Sequence, residues 1–165
     1  MEDYLKAHLY TVRTLTLSVL DNTPEEFADR IPEGYRNSIR WNFGHILYIQ
    51  ERLAYEVTGG KGHLPEEYAR LFAAGTSPAD WNETPPTLAD IKEQMLLQSE
   101  RIKQSHASGL DHPLPQPFTN KLGITFDTVG GCLLFSFFHE GLHLDTIRHY
   151  IRQLKRAEKN TDRPL

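Results

Sequence analysis

Two histidines, His139 and His143, stand four residues apart near the C-terminus, in a stretch whose apolar residues repeat with a helical period. Residues four apart on a helix lie one turn above each other on the same face, so both imidazoles can reach one ion. Imidazole is the commonest metal ligand in proteins. Because two ligands make a weak site, the pair predicts a metal site that takes a further ligand from another helix.

His45 is the best candidate for that third ligand, because it lies mid-way along another apolar helical segment, beside Trp41, Phe43 and Ile46. A lone histidine in such a place is more often a satisfied core residue, and this alternative stays open. Burying imidazoles without partners costs on the order of 1 kcal/mol for each unsatisfied group. A metal ion removes that cost by using the lone pairs, which favours one site made of His45, His139 and His143. By ligand type alone, zinc, nickel, iron and copper all suit it.

Residues 139–143 read His-Glu-Gly-Leu-His, which also matches the H-E-x-x-H motif of zinc metallopeptidases, with Glu140 as general base. Against a metallopeptidase, no Gly and third His follow at the required spacing, and no later helix could supply a ligand. His149 lies about 240° around the helix from His143 and should point elsewhere. Glu140 is more simply a partly exposed helical glutamate. Tyr48 and Asp145 are weaker candidates for orienting a histidine.

Four long segments carry the apolar spacing of amphipathic helices, at about residues 2–20, 38–57, 87–108 and 129–155. Thr87 with Asp90 resembles a capping box at the start of the third. Residues 65–72 predict a short helix, and 117–126 predict a loop that could contain a short extended pair. With no convincing strand run, the fold class is all-α, a four-helix bundle with long connections. In such bundles, metal ligands come from facing helices.

The apolar spacing also predicts which side chains face inward. On the first helix these are Leu5, Leu9, Val12, Leu15 and Val19. On the last helix they are Cys132, Phe135, His139, Leu142, His143, Thr146, Tyr150 and Leu154.

The 165 residues fit one domain, which we place at 1–158, followed by a polar tail at 159–165. The net charge of -4 without a basic block argues against binding to nucleic acid or to an anionic membrane. No apolar run could span a bilayer, and the N-terminus lacks the features of a signal peptide, so a cytoplasmic location is expected. The single Cys132 excludes an internal disulfide and is expected to be a buried hydrophobe.

Residues 38–46 read Ser-Ile-Arg-Trp-Asn-Phe-Gly-His-Ile, and residues 139–147 read His-Glu-Gly-Leu-His-Leu-Asp-Thr-Ile. Together they resemble the DinB-like superfamily, and residues 122–128 are also similar to it. The resemblance implies a four-helix bundle with one histidine ligand on the second helix and an H-x-x-x-H pair on the fourth. Here those ligands are His45, His139 and His143, with open positions left for water or substrate.

The resemblance also implies an activity, because characterised members include thiol-dependent S-transferases and isomerases that use bacillithiol or mycothiol, usually with zinc or nickel. A metal-dependent thiol S-transferase or hydrolase acting on a small molecule is therefore the leading hypothesis. The alternative is a non-catalytic binding or stress-response protein in which the metal only holds the second and fourth helices together. Such a structural site would need a fourth protein ligand. Residues 61–86 and 113–126 are expected to shape the pocket mouth. Aromatic outer faces are compatible with a homodimer.

Overall fold

The computed structural model describes residues 2–106 and 109–161, and it confirms the helical-bundle fold. The helices, in chain order, are α1 (Glu2–Asp21), α2 (Ile39–Glu51), α3 (Glu67–Phe72), α4 (Leu88–Ser105) and α5 (Val129–Thr161). A π-helical turn, Arg52–Glu56, continues α2, and 3₁₀ turns lie at Glu25–Phe27 and Pro78–Asp80. Of the four long helices, α1 packs against α4 and α5, and α2 packs against the same two. Consecutive long helices α1 and α2 therefore lie on a diagonal of the bundle.

Side-chain caps explain where two of the long helices begin. Ser38 Oγ accepts a hydrogen bond of 3.1 Å from the backbone N–H of Trp41, which satisfies a free donor in the first turn of α2. At α4, Thr87 and Asp90 make both hydrogen bonds of the predicted capping box. The local sequence thus specifies where α2, which carries His45, and α4, which packs against α2, begin.

An antiparallel hairpin of strands β1 (Pro113–Thr119) and β2 (Thr125–Thr128) replaces the loop expected from the sequence. The brief extended pair that the sequence left room for is thus a real strand pair, with Phe118 opposite Phe126. Pro113, Pro115 and Pro117 lack the N–H that a strand ladder uses, so the sequence of β1 is not typical of a strand. The Phe126 ring packs 4.9 Å from the Phe135 ring of α5, which holds the hairpin against the bundle.

The predicted inward faces are wrong at two leucines. Leu15 is 47% exposed and Leu142 is 54% exposed, whereas Arg13 and Glu140 are almost fully buried. Apolar spacing orients a helix only approximately, and here a buried ion pair between α1 and α5 takes part of the core that leucines were expected to fill. Cys132 is fully buried as expected, and burial raises the pKa of its thiol to about 11.

The buried pair belongs to a polar cluster that joins all four long helices. Arg13 donates to Gln50 of α2, to Gln98 of α4 at 3.2 Å and to Glu140 of α5 at 3.2 Å. Gln50 Nε2 lies 3.4 Å from both Ser136 and Glu140. Buried polar groups cost least when they are hydrogen-bonded to one another. This cluster meets that condition only in part, because Nε and Nη1 of Arg13 and Oε1 of Glu140 are buried without a hydrogen-bond partner among the described residues.

The chain ends differ slightly from the expected boundaries. Helix α5 runs to Thr161 instead of about residue 155, so the first part of the predicted tail is helical. Residues 162–165 lie outside the described residues, as do residues 107–108 at the predicted end of the third helix. None of the helices in the described part of the chain has an apolar stretch long enough to cross a lipid bilayer.

Candidate metal centre

The three predicted histidines lie together between α2 and α5. One ring nitrogen from each of His45, His139 and His143 lies within 4.8 Å of the others. Their ring centroids are 4.5 to 5.1 Å apart. Within residues 2–106 and 109–161, no Cys, Asp, Glu or further His joins this group. The three imidazoles are therefore close enough for small rotations of their side chains to bring all of them to one ion.

His45 is oriented by a backbone carbonyl. Its Nδ1 lies 2.6 Å from the carbonyl oxygen of Phe72 in α3, and because a carbonyl can only accept, Nδ1 carries the proton. The lone pair is then on Nε2. The Trp41 ring stacks on a face of the imidazole, with 4.4 Å between the ring centroids. Gly44 permits this arrangement, since a Cβ there would lie 2.4 Å from the Phe72 ring and would push α3 away.

His143 is oriented by a side chain that sequence analysis did not single out. Its Nδ1 lies 2.8 Å from Oδ1 of Asn42, one turn before His45 on α2. The Asn42 amide nitrogen donates to the Ser38 carbonyl at 2.8 Å, so the oxygen is the atom that faces the ring. His143 therefore also donates from Nδ1 and keeps its lone pair on Nε2.

Tyr48 and Asp145, the two residues considered for this orienting role, do not fill it. No hydrogen bond joins either of them to a histidine ring in the described part of the chain, and Asp145 is exposed. The proximity of Asn42 to α5 could not be read from the sequence, and a backbone carbonyl such as that of Phe72 carries no sequence signal at all.

Burial keeps the three imidazoles neutral at physiological pH. It lowers the pKa of His45, and it lowers the pKa of His139 to about 4 and that of His143 to about 3. The neighbouring imidazoles contribute to the lowered pKa of His139 and His143, because two positive charges at this distance repel. Among the described residues, no hydrogen-bond donor contacts Nε2 of His45 or His143, so these lone pairs are available to a metal. Three neutral imidazoles are a set of ligands that fits a divalent metal ion.

Replacing Asn42 by leucine is expected to weaken zinc binding by about 10- to 100-fold, because His143 would lose the acceptor that sets its tautomer and orientation. Competition with a chromogenic chelator measures this affinity. Asn42→Asp keeps an acceptor oxygen and should remain closer to the parent. Asn82→Leu, at an exposed position, is the control. Parent-like zinc affinity in a folded Asn42→Leu protein would remove Asn42 from the site.

A pocket of about 340 Å³ opens beside the histidines, and His45 and His139 form part of its lining. The hairpin turn closes one side of it through residues 118–122. This agrees with the expectation that residues 113–126 shape the mouth. The segment 61–86 contributes only Ala74 among the described lining residues.

Glu140 is not the partly exposed glutamate that the sequence suggested. Its side chain is buried and paired with Arg13 at 3.2 Å, on a face about 100° around the helix from His139. A metallopeptidase of the H-E-x-x-H type needs this carboxylate free to act on a water molecule at the metal. Because it is engaged in the bundle core instead, the geometry does not support the metallopeptidase alternative.

Comparison with known proteins places this geometry in context. A family model described as the DinB superfamily matches residues 8–147, a range that includes all three histidines. A solved structure of a putative DinB family member from Exiguobacterium sibiricum is similar, with a TM-score of 0.59 and 18% sequence identity. The alignment covers 99% of this chain and 95% of that chain, and at this identity it supports the fold alone. No match was found among curated proteins.

Proposed function

This chain belongs to the DinB superfamily, and from that premise we propose that it is a metal-dependent enzyme that transfers a thiol to a small molecule or hydrolyses one. Its proposed ligands are His45, His139 and His143. Zinc and nickel are the proposed ions, with iron and copper as alternatives of the same ligand preference.

One observation carries the proposal: three neutral imidazoles converge beside a pocket, without a fourth protein ligand among the described residues. A structural zinc site is normally closed by four protein ligands, whereas a catalytic site has three and leaves a position for water or substrate. The arrangement therefore favours an enzyme over the alternative of a non-catalytic protein stapled by its metal.

The residues of this chain have separate roles in the proposed reaction. His45 and His143 present their Nε2 atoms because Phe72 and Asn42 hold the opposite ring nitrogens. A divalent ion bound by three neutral imidazoles supplies acidification of a thiol or water, which makes a nucleophile available at neutral pH. The mainly apolar lining of the pocket suits an electrophile with an apolar body.

In thiol transfer, the sulfur of the thiol forms a bond to an electrophilic carbon of the second substrate. The leaving group departs with the electron pair of the broken bond, and the thiol proton passes to solvent. In hydrolysis, water takes the place of the thiol. Cys132 is not a candidate for the nucleophile, because it is fully buried and its raised pKa keeps it protonated.

Turnover of bacillithiol with monochlorobimane, in which the sulfur displaces chloride and forms a fluorescent adduct, tests the proposal. We expect turnover by protein loaded with zinc or nickel, loss of turnover on chelation, and recovery when the ion is restored. Glutathione and cysteine serve as comparison thiols, and a panel of ester substrates covers hydrolysis.

Two outcomes contradict parts of this proposal. Bound metal without metal-dependent turnover of any thiol or ester would favour the stapled binding protein. A parent protein that binds no divalent ion after reconstitution would overturn the site itself. The proposed substrates, and the homodimer considered from the sequence, stay predictions.

A further inference from the structure

The wall of the pocket beside His45 and His139 is mainly apolar. Ile49, Leu53 and Phe135 contribute to it, and three more apolar side chains stand at the mouth in unusually exposed positions. Leu122 is 80% exposed, Phe138 is 59% exposed and Leu142 is 54% exposed. Large apolar side chains exposed together around a concave site are typical of a surface that a ligand covers.

The charges in this pocket are of one sign only. Arg52 and Lys121 are its charged lining residues, and no described Asp or Glu lines it, although the chain as a whole has a net charge of -4. Arg52 is partly neutralised by Glu56 at 3.4 Å. Lys121 is exposed at the hairpin turn and has no carboxylate within 4.0 Å among the described residues. As a lining residue of the pocket, it can pair with an anionic ligand bound there.

Asn120, next to Lys121 in the hairpin turn, offers a hydrogen-bond donor without an acceptor. Its Oδ1 accepts from the backbone N–H groups of Leu122 at 2.9 Å and Ile124 at 3.0 Å, which fixes the orientation of the amide. Its Nδ2 is buried and has no partner, and the residue lines the pocket. Unpaired buried donors are uncommon, because each loses its hydrogen bonds to water without gaining a partner in the protein.

We infer that the pocket selects a small molecule with an apolar body and a single carboxylate, which Lys121 and Asn120 bind at the hairpin turn. The apolar body then lies along Phe135 and Leu53, and its far end reaches the histidines. One ammonium and one amide donor match the single charge of a carboxylate. The inference rests on the proposed function, because the reacting atom of the substrate must be presented to the metal ligands.

Three ligands of one shape and different charge test this inference: 4-phenylbutyrate, 4-phenylbutanol and 4-phenylbutylamine. Their affinities are measured by calorimetry on the full chain, both chelator-treated and loaded with zinc. In the metal-free parent we expect the carboxylate to bind at least about tenfold more tightly than the alcohol, and the amine to bind most weakly. Equal affinity for the acid and the alcohol, or no binding of any of the three, would overturn the inference.

Substitution of Lys121 tests whether this residue causes the preference for the carboxylate. Lys121→Ala should remove the tenfold advantage of the carboxylate and leave the affinity for the alcohol unchanged, and Lys121→Glu should favour the amine. Lys155→Ala, at an exposed lysine of α5, should behave as the parent. A carboxylate preference that survives Lys121→Ala in the metal-free protein would assign selection to another group of the pocket, and a preference that exists only with zinc bound would assign it to the metal. Either result would overturn the inference.

The metal-free measurement separates this inference from the proposed function. If the parent binds no ion but still prefers the carboxylate through Lys121, the metal proposal fails and the ligand class stands. If metal-dependent turnover is found but the charge of the ligand has no effect on binding, the proposed function stands and the inferred ligand class is wrong.

Discussion

Replacing His143 by alanine is expected to lower the affinity for zinc or nickel by about 100- to 1000-fold. Structural zinc sites gain about 10–16 kcal/mol from four ligands, so one ligand contributes roughly 3–4 kcal/mol. His139→Ala and His45→Ala should have effects of the same size, because each removes one of three donors. Metal content after dialysis and competition with a chelator give the affinity, and metal-dependent turnover should fall with it.

His112→Ala is the matched control for these three substitutions, because His112 is exposed and outside the triad. Circular dichroism of each variant separates loss of a ligand from loss of the fold. Metal content equal to the parent in a folded His45→Ala protein would remove this residue from the site, and with it the bridge between α2 and α5.

Replacing Arg13 by methionine is expected to lower the free energy of unfolding by about 3–5 kcal/mol. The substitution leaves the Glu140 carboxylate in the core without its counter-ion, and it also removes the donor shared by Gln50 and Gln98. Removing one partner of a buried ion pair costs far more than the pair contributes in total, because the remaining charge cannot be solvated. Unfolding in urea, followed by circular dichroism, measures the change.

The double variant Arg13→Met, Glu140→Met should recover much of this stability, because neither charge is then left alone in the core. Arg148→Met removes an exposed arginine of α5 and should change stability by less than about 0.5 kcal/mol. A loss below about 1 kcal/mol in Arg13→Met would mean that the Glu140 carboxylate is not left as an unpaired charge in the core. Zinc stoichiometry should stay at the parent value in the double variant, since Glu140 lies outside the triad.

These two predictions depend on His139 and Glu140, which are adjacent residues of α5 with different partners. His139 faces the pocket, whereas Glu140 faces the polar cluster around Arg13. The H-E-x-x-H string joins them in sequence, but a step of about 100° per residue sends their side chains to different partners. A match to a short motif therefore cannot establish that its residues act on one metal.

Much of the helical architecture could be predicted because it is encoded locally. Apolar residues at three- and four-residue spacing mark the long helices, and Thr87 with Asp90 marks a helix start through hydrogen bonds within one turn. The hairpin was harder to predict, since the prolines of β1 resemble a loop until Phe118 and Phe126 pair across it and Phe126 packs against Phe135.

For the candidate site, the sequence by itself predicted that His139 and His143 act as a pair, because a four-residue spacing on one helix is a local property. It made His45 a candidate for the third ligand through its apolar surroundings, which are also local. Only the tertiary structure decided what orients the imidazoles: the carbonyl of Phe72 and the amide of Asn42, separated by 27 and 101 residues from the rings they contact. It also decided that Arg13 and Glu140 share the core and that Lys121 stands at the pocket. Contacts between distant segments depend on how helices rotate and pack, and periodicity along one segment does not specify that rotation.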